Sequence, residues 1–293
     1  MKVSIGLPVY NGERFLKAAI DSILAQTYVD FELIISDNAS TDRTEEICRS
    51  YKDARVRYYR SETNKGAAWN YNRVFQLATG KYFKWAAHDD VIAPDFVQRC
   101  VDALDDDPSA VLCQGQIKMI DEEGNFIKNH PLLPKVKSKK PHRRFSEMML
   151  KHHISLHIFG LIRSDALRKT KLIDFYGGSD RVLLAHLALL GRFIELPQYL
   201  FFSRLHTRQS SIKYEGNLSA YAAWFDPRKK GKMLFPWWRV MREYARIVFI
   251  TCRHMHERAI CYIALGIYMV TKVPVLAREF VRGIWYTTIG GLL

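Results

Sequence analysis

The chain has 293 residues, 48% hydrophobic and 25% charged, with a formal charge of +14. This is a globular composition without low-complexity tracts, sized for one large or two modest domains, and its basic excess points to phosphates, nucleic acid or an anionic membrane surface. Five widely spaced cysteines without a CxxC pair argue against a zinc site or disulfide framework and for a reducing compartment.

The opening MKVSIGLPVY has no long apolar core and is interrupted by Pro8, unlike a secretory signal. Residues 3–9 read as a strand. Asn11 stands where it can cap a helix in which Phe15, Leu16, Ala19, Ile20, Ile23 and Leu24 recur at helical spacing. FELIIS at 31–36 is a second strand, apolar enough for burial on both faces. Asp42 and Glu45 have capping-box spacing at the next helix start. Residues 55–60 form a third strand, 66–78 a helix ended by Gly80, and 81–87 a fourth strand running into His88, Asp89 and Asp90. Strands and helices that alternate in this way predict a parallel sheet with covering helices. Ligands of such sheets bind outside the carboxyl ends of the strands. Tyr10, Asp37, Asp89 and Asp90 all lie there.

A helix follows from Asp95 to about Asp106, then a strand at 110–120 and a turn at 121–125. Residues 131–153 are basic and contain prolines, a loop leading into a helix. In it His142, Arg143 and Arg144 read as a solvated basic face or as contacts to an anionic acceptor. HIFGLI at 157–162 reads as a buried strand, beside a cluster of His152, His153 and His157 with no evident site. A helix from Asp180 to Leu190 follows Gly177 and Gly178, and short strands near 193–196 and 199–203 come next.

The character changes after residue 223. DPRKKGK reads as a linker, and from Arg228 onward twelve Lys and Arg stand against three Glu, interleaved with Trp237, Trp238 and bulky aliphatics. Such a segment either lies on an anionic bilayer or docks on the core as a helical hairpin with a solvated basic face. The uncharged stretch from Ala259 to Thr271 is shorter than the ~20 residues a spanning helix needs.

KWAAHDDVIAPD at 84–95 carries the sharpest chemistry. Two adjacent carboxylates disfavour each other's ionised form unless a cation sits between them. Oxygen ligands of this kind suit Mg²⁺ or Mn²⁺.

SIGLPVYNGERFLKAAIDSILAQTYVDFELIISDNASTDRT together with NKGAAWNYNRVFQLATGKYFKWAAHDD resembles the inverting family-2 glycosyltransferases of GT-A fold. The likeness is clear over residues 3–120, weaker to about 212, and absent from the last 80 residues. It implies a GT-A, Rossmann-like α/β fold: a mixed, mostly parallel sheet flanked by helices, with a C-terminal helical extension. It divides the chain into a catalytic domain at 1–222, with a donor half at 1–120 and an acceptor half at 121–222, and a basic amphipathic region at 223–293.

The same resemblance implies a UDP- or dTDP-sugar donor on a metal–diphosphate at Asp89, with Asp90 beside it and Mg²⁺ or Mn²⁺ as cofactor. The usual Asp-x-Asp pattern has Ala87 at its first position here. Asp37 is placed against the base, with Pro8, Val9 and Tyr10 completing that pocket and Glu13, Gly66 and Asn72 along its wall. Asp180 takes the place of the catalytic base that deprotonates the acceptor hydroxyl, and Ser179 replaces the usual glutamate before it. In SRLHTRQSS at 203–211, Arg204 is placed on phosphate oxygens and His206 on the metal or diphosphate.

The acceptor expected is a saccharide or lipid-linked hydroxyl in cell-surface polysaccharide or glycan synthesis. The enzyme is expected at the cytoplasmic membrane face, without nucleic acid. Each candidate also has a plain structural reading: Asp37 and Asp180 as helix or turn caps, Glu13 as a first-turn acid, Asn72 as a surface residue, His206 as structural. The competing functions are a degenerate nucleotide-sugar-binding protein and a nucleotidyltransferase, although LPVYNGE is not a triphosphate-binding loop.

Overall fold

A computed structural model describes residues 2–131, 134–151, 153–209, 218–230 and 235–288. The first half runs β1 (Val3–Val9), α1 (Leu16–Leu24), β2 (Phe31–Asp37), α2 (Thr44–Ser50), β3 (Val56–Arg60), α3 (Ala67–Gln76), β4 (Tyr82–Trp85), β5 (Val91–Ile92), α4 (Phe96–Asp106), β6 (Ala110–Ile120) and β7 (Phe126–Asn129). The second half continues with α5 (Pro141–Leu150), β8 (Leu161–Arg163), α6 (Ser164–Arg168), α7 (Ser179–Leu190), β9 (Arg192–Arg204), α8 (Leu218–Phe225), α9 (Pro236–Thr251) and α10 (Met255–Thr288).

One mixed sheet has the order β3-β2-β1-β4-β8-β6-β9-β5, with β7 beside β6. β1, β2, β3 and β4 are parallel, as their alternation with helices requires, and β8 enters antiparallel between β4 and β6. Successive residues of β2 point to opposite faces. Leu33 and Ile35 join a core under α1 and α4, while Ile34 joins a second core shared with α3, α5, α7, α9 and α10.

Several expectations change. The stretch at 157–162 is not one strand: Leu156–Phe159 is a 3₁₀ turn, and only Leu161–Arg163 pairs in the sheet. The two short strands after α7 are one bent strand, β9, whose register slips against β6 on either side of Gln116. Asn11 does not cap α1. It holds a left-handed backbone with φ 53°, and its Oδ1 accepts from the Thr41 amide, so it ties the β1 loop to the β2 loop.

The basic stretch is solvated at Lys135, Lys137, Lys139, Lys140 and Arg143, but not throughout. Arg144 is buried and donates to the carbonyls of Ala188 and Leu189 at the end of α7, and His142 Nδ1 lies 2.5 Å from Glu257. His157 is buried and held neutral, its pKa pushed down to about 3 by burial. His152 lies outside the described residues.

The C-terminal region docks. Val240, Tyr244 and Val248 of α9, with Cys261, Leu265, Tyr268 and Leu276 of α10, are buried in the core that holds α5 and α7. The expected boundary at 222/223 falls inside α8. The last helix, α10, is longer than the uncharged stretch suggested, because it continues through Lys272 and Pro274 to residue 288. Its outward face is apolar rather than basic: Ile263, Ile267, Val270, Val273 and Val281 are all exposed. By length and composition, Met255–Arg282 could cross a membrane.

Candidate active site

β4 ends at Trp85, and the chain turns to place Asp89 and Asp90 before the short β5, which pairs with the end of β9. That pairing brings Arg204 and His206 onto the two aspartates. Asp90 Oδ1 accepts from the Arg204 amide at 2.8 Å, and His206 Nε2 lies 2.9 Å from Asp89 Oδ2. Burial, then the neighbouring charge of Asp89, push Asp90 well above the usual carboxylate range. Burial also raises Asp89, but His88 and the hydrogen bond to His206 outweigh it and hold Asp89 low. Charge is therefore favoured on Asp89 over Asp90, as two adjacent carboxylates in a dry site repel each other.

His206 is itself buried. Its ring packs against Phe15 at 4.8 Å, and its Nδ1 has no hydrogen-bond partner among the described residues. Arg204 is not presented to a ligand as expected. Its guanidinium donates to the carbonyls of Asp89, Asp121 and Glu122 and lies over Phe15. A buried guanidinium needs acceptors, and the backbone supplies them. Arg204 thus braces the aspartate turn against the β6–β7 turn.

The base-pocket candidates gather at the ends of β1 and β2. Val9 is buried, and its carbonyl accepts from the Asn38 amide and from Asn70 Nδ2. Tyr10, just beyond, is 43% exposed. Asp37 is sealed in the fold, where it accepts from the Ser40 amide and the Tyr58 hydroxyl, each at 2.8 Å. Three lone-pair partners or fewer leave a carboxylate with acceptor capacity. Even so, a base can reach Asp37 only if the groups above it yield. Glu13 braces the two loops, since its amide donates to Asp42 and its carboxylate accepts from the Arg43 amide. Asn72 is not on an open pocket wall: both ends of its amide are engaged with the backbone of Ile173. The neighbouring Asn70, missed in the sequence, is the buried one. It bonds Ser36 and Val9 and so joins the ends of the two strands.

Asp180 sits in the first turn of α7, after Gly178, whose φ of 89° makes the left-handed entry to the helix. No side chain caps this helix, so neither Ser179 nor Asp180 acts as its N-cap. The Ser179 hydroxyl is buried without a partner among the described residues. Asp180 is half-buried and makes no hydrogen bond or ion pair with any described residue.

The charges of three carboxylates reach Tyr71. Burial raises this hydroxyl first, and the charges of Asp89, Asp90 and Asp180 raise it further. A group from α7 and groups that follow β4 thus act on the same hydroxyl. Sequence reasoning passed over Tyr71; its only signal was an aromatic next to Asn72.

A metal finds only part of a ligand set here. Among the described residues no cluster of three or more His, Cys, Asp or Glu could hold one. Asp89 and His206 offer one charged oxygen and one nitrogen. Mg²⁺ is commonly held by one or two carboxylates plus substrate phosphates, and this donor set fits an ion that arrives with a diphosphate.

The family profile described as Glycosyl transferase family 2 matches residues 4–170. An uncharacterized glycosyltransferase of Rickettsia conorii is 38% identical over 138 residues, which cover 45% of this chain and 22% of that protein. Chondroitin synthase of Escherichia coli is 29% identical over 218 residues, covering 72% of this chain and 30% of that one. The chain spans less than half the length of the curated relatives it first matches. Among solved structures, residues 1–349 of S. aureus TarS in complex with UDP-GlcNAc superpose with a TM-score of 0.64 at 20% identity, covering 90% of this chain and 72% of that one.

Proposed function

The chain belongs to glycosyl transferase family 2 and has the GT-A fold, and from this premise we propose that it moves a sugar, with inversion, from a UDP- or dTDP-sugar to a hydroxyl of a saccharide or lipid-linked acceptor. The observation that carries this reading is the Asp89–His206 pair at the carboxyl edge of the parallel strands, with Asp180, unpartnered among the described residues, near enough for its charge to act with that of Asp89 on the Tyr71 hydroxyl. Recognition of UDP-GlcNAc by a protein of the same fold supports the choice of a uracil nucleotide.

In this reading Asp180 takes the proton of the acceptor hydroxyl. The acceptor oxygen bonds to the anomeric carbon from the far side. The bond from that carbon to the diphosphate oxygen breaks, and its electron pair leaves with the nucleoside diphosphate. Asp89 and His206, backed by Asp90, would hold Mg²⁺ or Mn²⁺, which when bound offsets charge on the diphosphate. Val9, Pro8 and Tyr10 face the base, with Asp37 behind them. Arg204 and Glu13 position the loops, and Asn72 fastens the acceptor half at Ile173.

We assign residues 1–222 to catalysis and 223–293 to a docked extension that rests on the cytoplasmic membrane face, in cell-surface glycan synthesis. The outward apolar face of α10 supports that location.

A thermal-shift panel of UDP, dTDP, GDP and CDP, with and without Mn²⁺, tests the donor site. At 100 times its Kd a ligand stabilises the fold by about 2.7 kcal/mol. A Mn²⁺-dependent shift with UDP or dTDP, lost in Asp89→Ala, is expected. Asp180→Asn should keep that shift and lower turnover by roughly 10²–10⁴-fold. No shift with any nucleotide would make the pocket degenerate, and turnover of nucleoside triphosphates would favour nucleotidyl transfer.

A further inference from the structure

A cavity of about 490 Å³ lies between the 175–177 loop, α8 and the start of α9. It is separate from the nucleotide edge of the sheet and adjoins the entry to α7. Gly177 lines it, three residues before Asp180, and packs so closely on Tyr221 that a Cβ there would come within 2.8 Å of the ring. The charge of Asp180 reaches Tyr221 as well. The wall of the cavity and the surroundings of Asp180 are therefore one structure.

The lining joins two kinds of chemistry. Phe175, Tyr221, Phe235 and Trp238 are aromatic, and Arg239 and Arg242 stand among them. The local charge does not balance. Arg239 bonds Asp174, while the single carboxylate of Glu243 serves Lys171 and Arg246 and lies 3.7 Å from Arg242. The cavity lining itself carries two guanidiniums and no carboxylate, Arg239 being paired with Asp174 outside it. Arg239 Nε is buried without a partner among the described residues, and the Arg242 side chain is 73% exposed. An aromatic cavity with surplus guanidinium fits a ligand that is apolar over most of its length and anionic at one end.

One residue ties the cavity to α10. Trp238 both lines the cavity and donates from its indole to the Leu276 carbonyl of α10. One turn further along α10, Phe280 and Val281 are exposed. Trp placed between an apolar surface and a charged cavity is the arrangement found at a bilayer interface.

We propose that this cavity binds the phosphate-bearing head of a membrane amphiphile, and that this amphiphile carries the hydroxyl delivered to Asp180. The proposal rests on the glycosyltransferase reading for its second half only; the binding itself does not depend on it. The same anionic chemistry is offered by free phosphate, so the test separates the two.

Isothermal titration of the full chain with geranyl phosphate, geraniol and inorganic phosphate reads the site directly, and UDP with Mn²⁺ is titrated in parallel. Saturable binding of geranyl phosphate is expected, with geraniol and inorganic phosphate each weaker by about tenfold or more, the worth of losing one charge-assisted contact. Arg242→Glu, at an exposed side chain that leaves the core intact, should weaken geranyl phosphate by a similar factor, and Arg242→Lys should restore part of it. Equal binding of geraniol would reduce the cavity to a hydrophobic sink. Equal binding of inorganic phosphate would make it a free-anion site. Unchanged binding by the Arg242→Glu protein would remove the headgroup from these arginines. Each of those three results overturns the proposal. If geranyl phosphate binds as expected and UDP does not, the cavity stands and the donor reading falls.

Discussion

Lys84 shows how one residue can report on the whole interior. It lies on β4 between Trp85 and Phe83, both of which face the α3 core, so strand alternation turns it the other way. There it is fully buried over the rings of Phe96 and Phe201, and its ammonium donates to the Phe159 carbonyl. Burial pushes its pKa down to about 7. Between that value and the 10.5 of an unfolded lysine, the unfolded chain holds a proton that the fold has shed. Stability therefore rises with pH across that window, and below it the cost of burying the charge is fully present. Urea midpoints at pH 6.5 and 9.5 should show this rise, on the order of a few kcal/mol, and Lys84→Met should flatten it. Equal slopes in the two proteins would mean that Lys84 is not a buried cation. In the sequence Lys84 is merely one polar residue in an apolar strand, since a single lysine carries no signal of which aromatic rings will close over it.

At the scale of elements, the loops at the strand ends explain how the site is held. Asn11 and Ala39 both adopt positive φ, at the ends of β1 and β2, and Ser40 Oγ accepts from the Asn11 amide. Strain of this sort persists only where neighbouring contacts over-determine the backbone. Gly66 is the sharper case. Its φ is 89°, Asn38 Nδ2 donates to its carbonyl, and a Cβ there would collide with the Phe225 carbonyl of α8. Gly66→Ala should cost about 1–3 kcal/mol, read as a lowered urea midpoint with weakened UDP binding, because it forces α3 and α8 apart. An unchanged midpoint would show that α8 is free to move. The elements themselves were largely legible: β1 to β4 and α1 to α3 follow from apolar period and turn residues. The 3₁₀ turn before Gly160 and the single bent β9 were not, since each depends on how the chain meets β6.

On the scale of the whole molecule, the C-terminal region is the main departure from expectation. The sequence offered a choice between a membrane segment and a docked hairpin with a basic outer face. The structure docks the hairpin, yet leaves Ile263, Ile267 and Val270 outward. Its basic residues are partly consumed inside, as with Arg239 on Asp174 and Arg258 on the Cys252 carbonyl. Flotation with phosphatidylglycerol-rich vesicles should carry the wild type upward, and the double substitution Ile263→Glu, Ile267→Glu should leave it at the bottom with unchanged fold. Equal flotation of both would place the contact elsewhere.

What the sequence determined alone is local in origin. Alternating strands and helices demanded a parallel sheet, and that sheet put Asp37, Asp89 and Asp90 at one edge; the glycine pair before Asp180 set it at a helix start. Only the tertiary structure decided which polar groups remain available. Arg204 is spent on Asp89 and Asp121, Asn72 on Ile173, and Asp37 on Ser40 and Tyr58, while the Asp180 carboxylate is left without a partner among the described residues. The bonds of Arg204 and Asn72 join residues far apart in the chain, 101 positions for Asn72 and Ile173, whereas Asp37 bonds Ser40 only three positions on. A buried polar group must find a partner, and no local pattern says which distant backbone will be there to meet it.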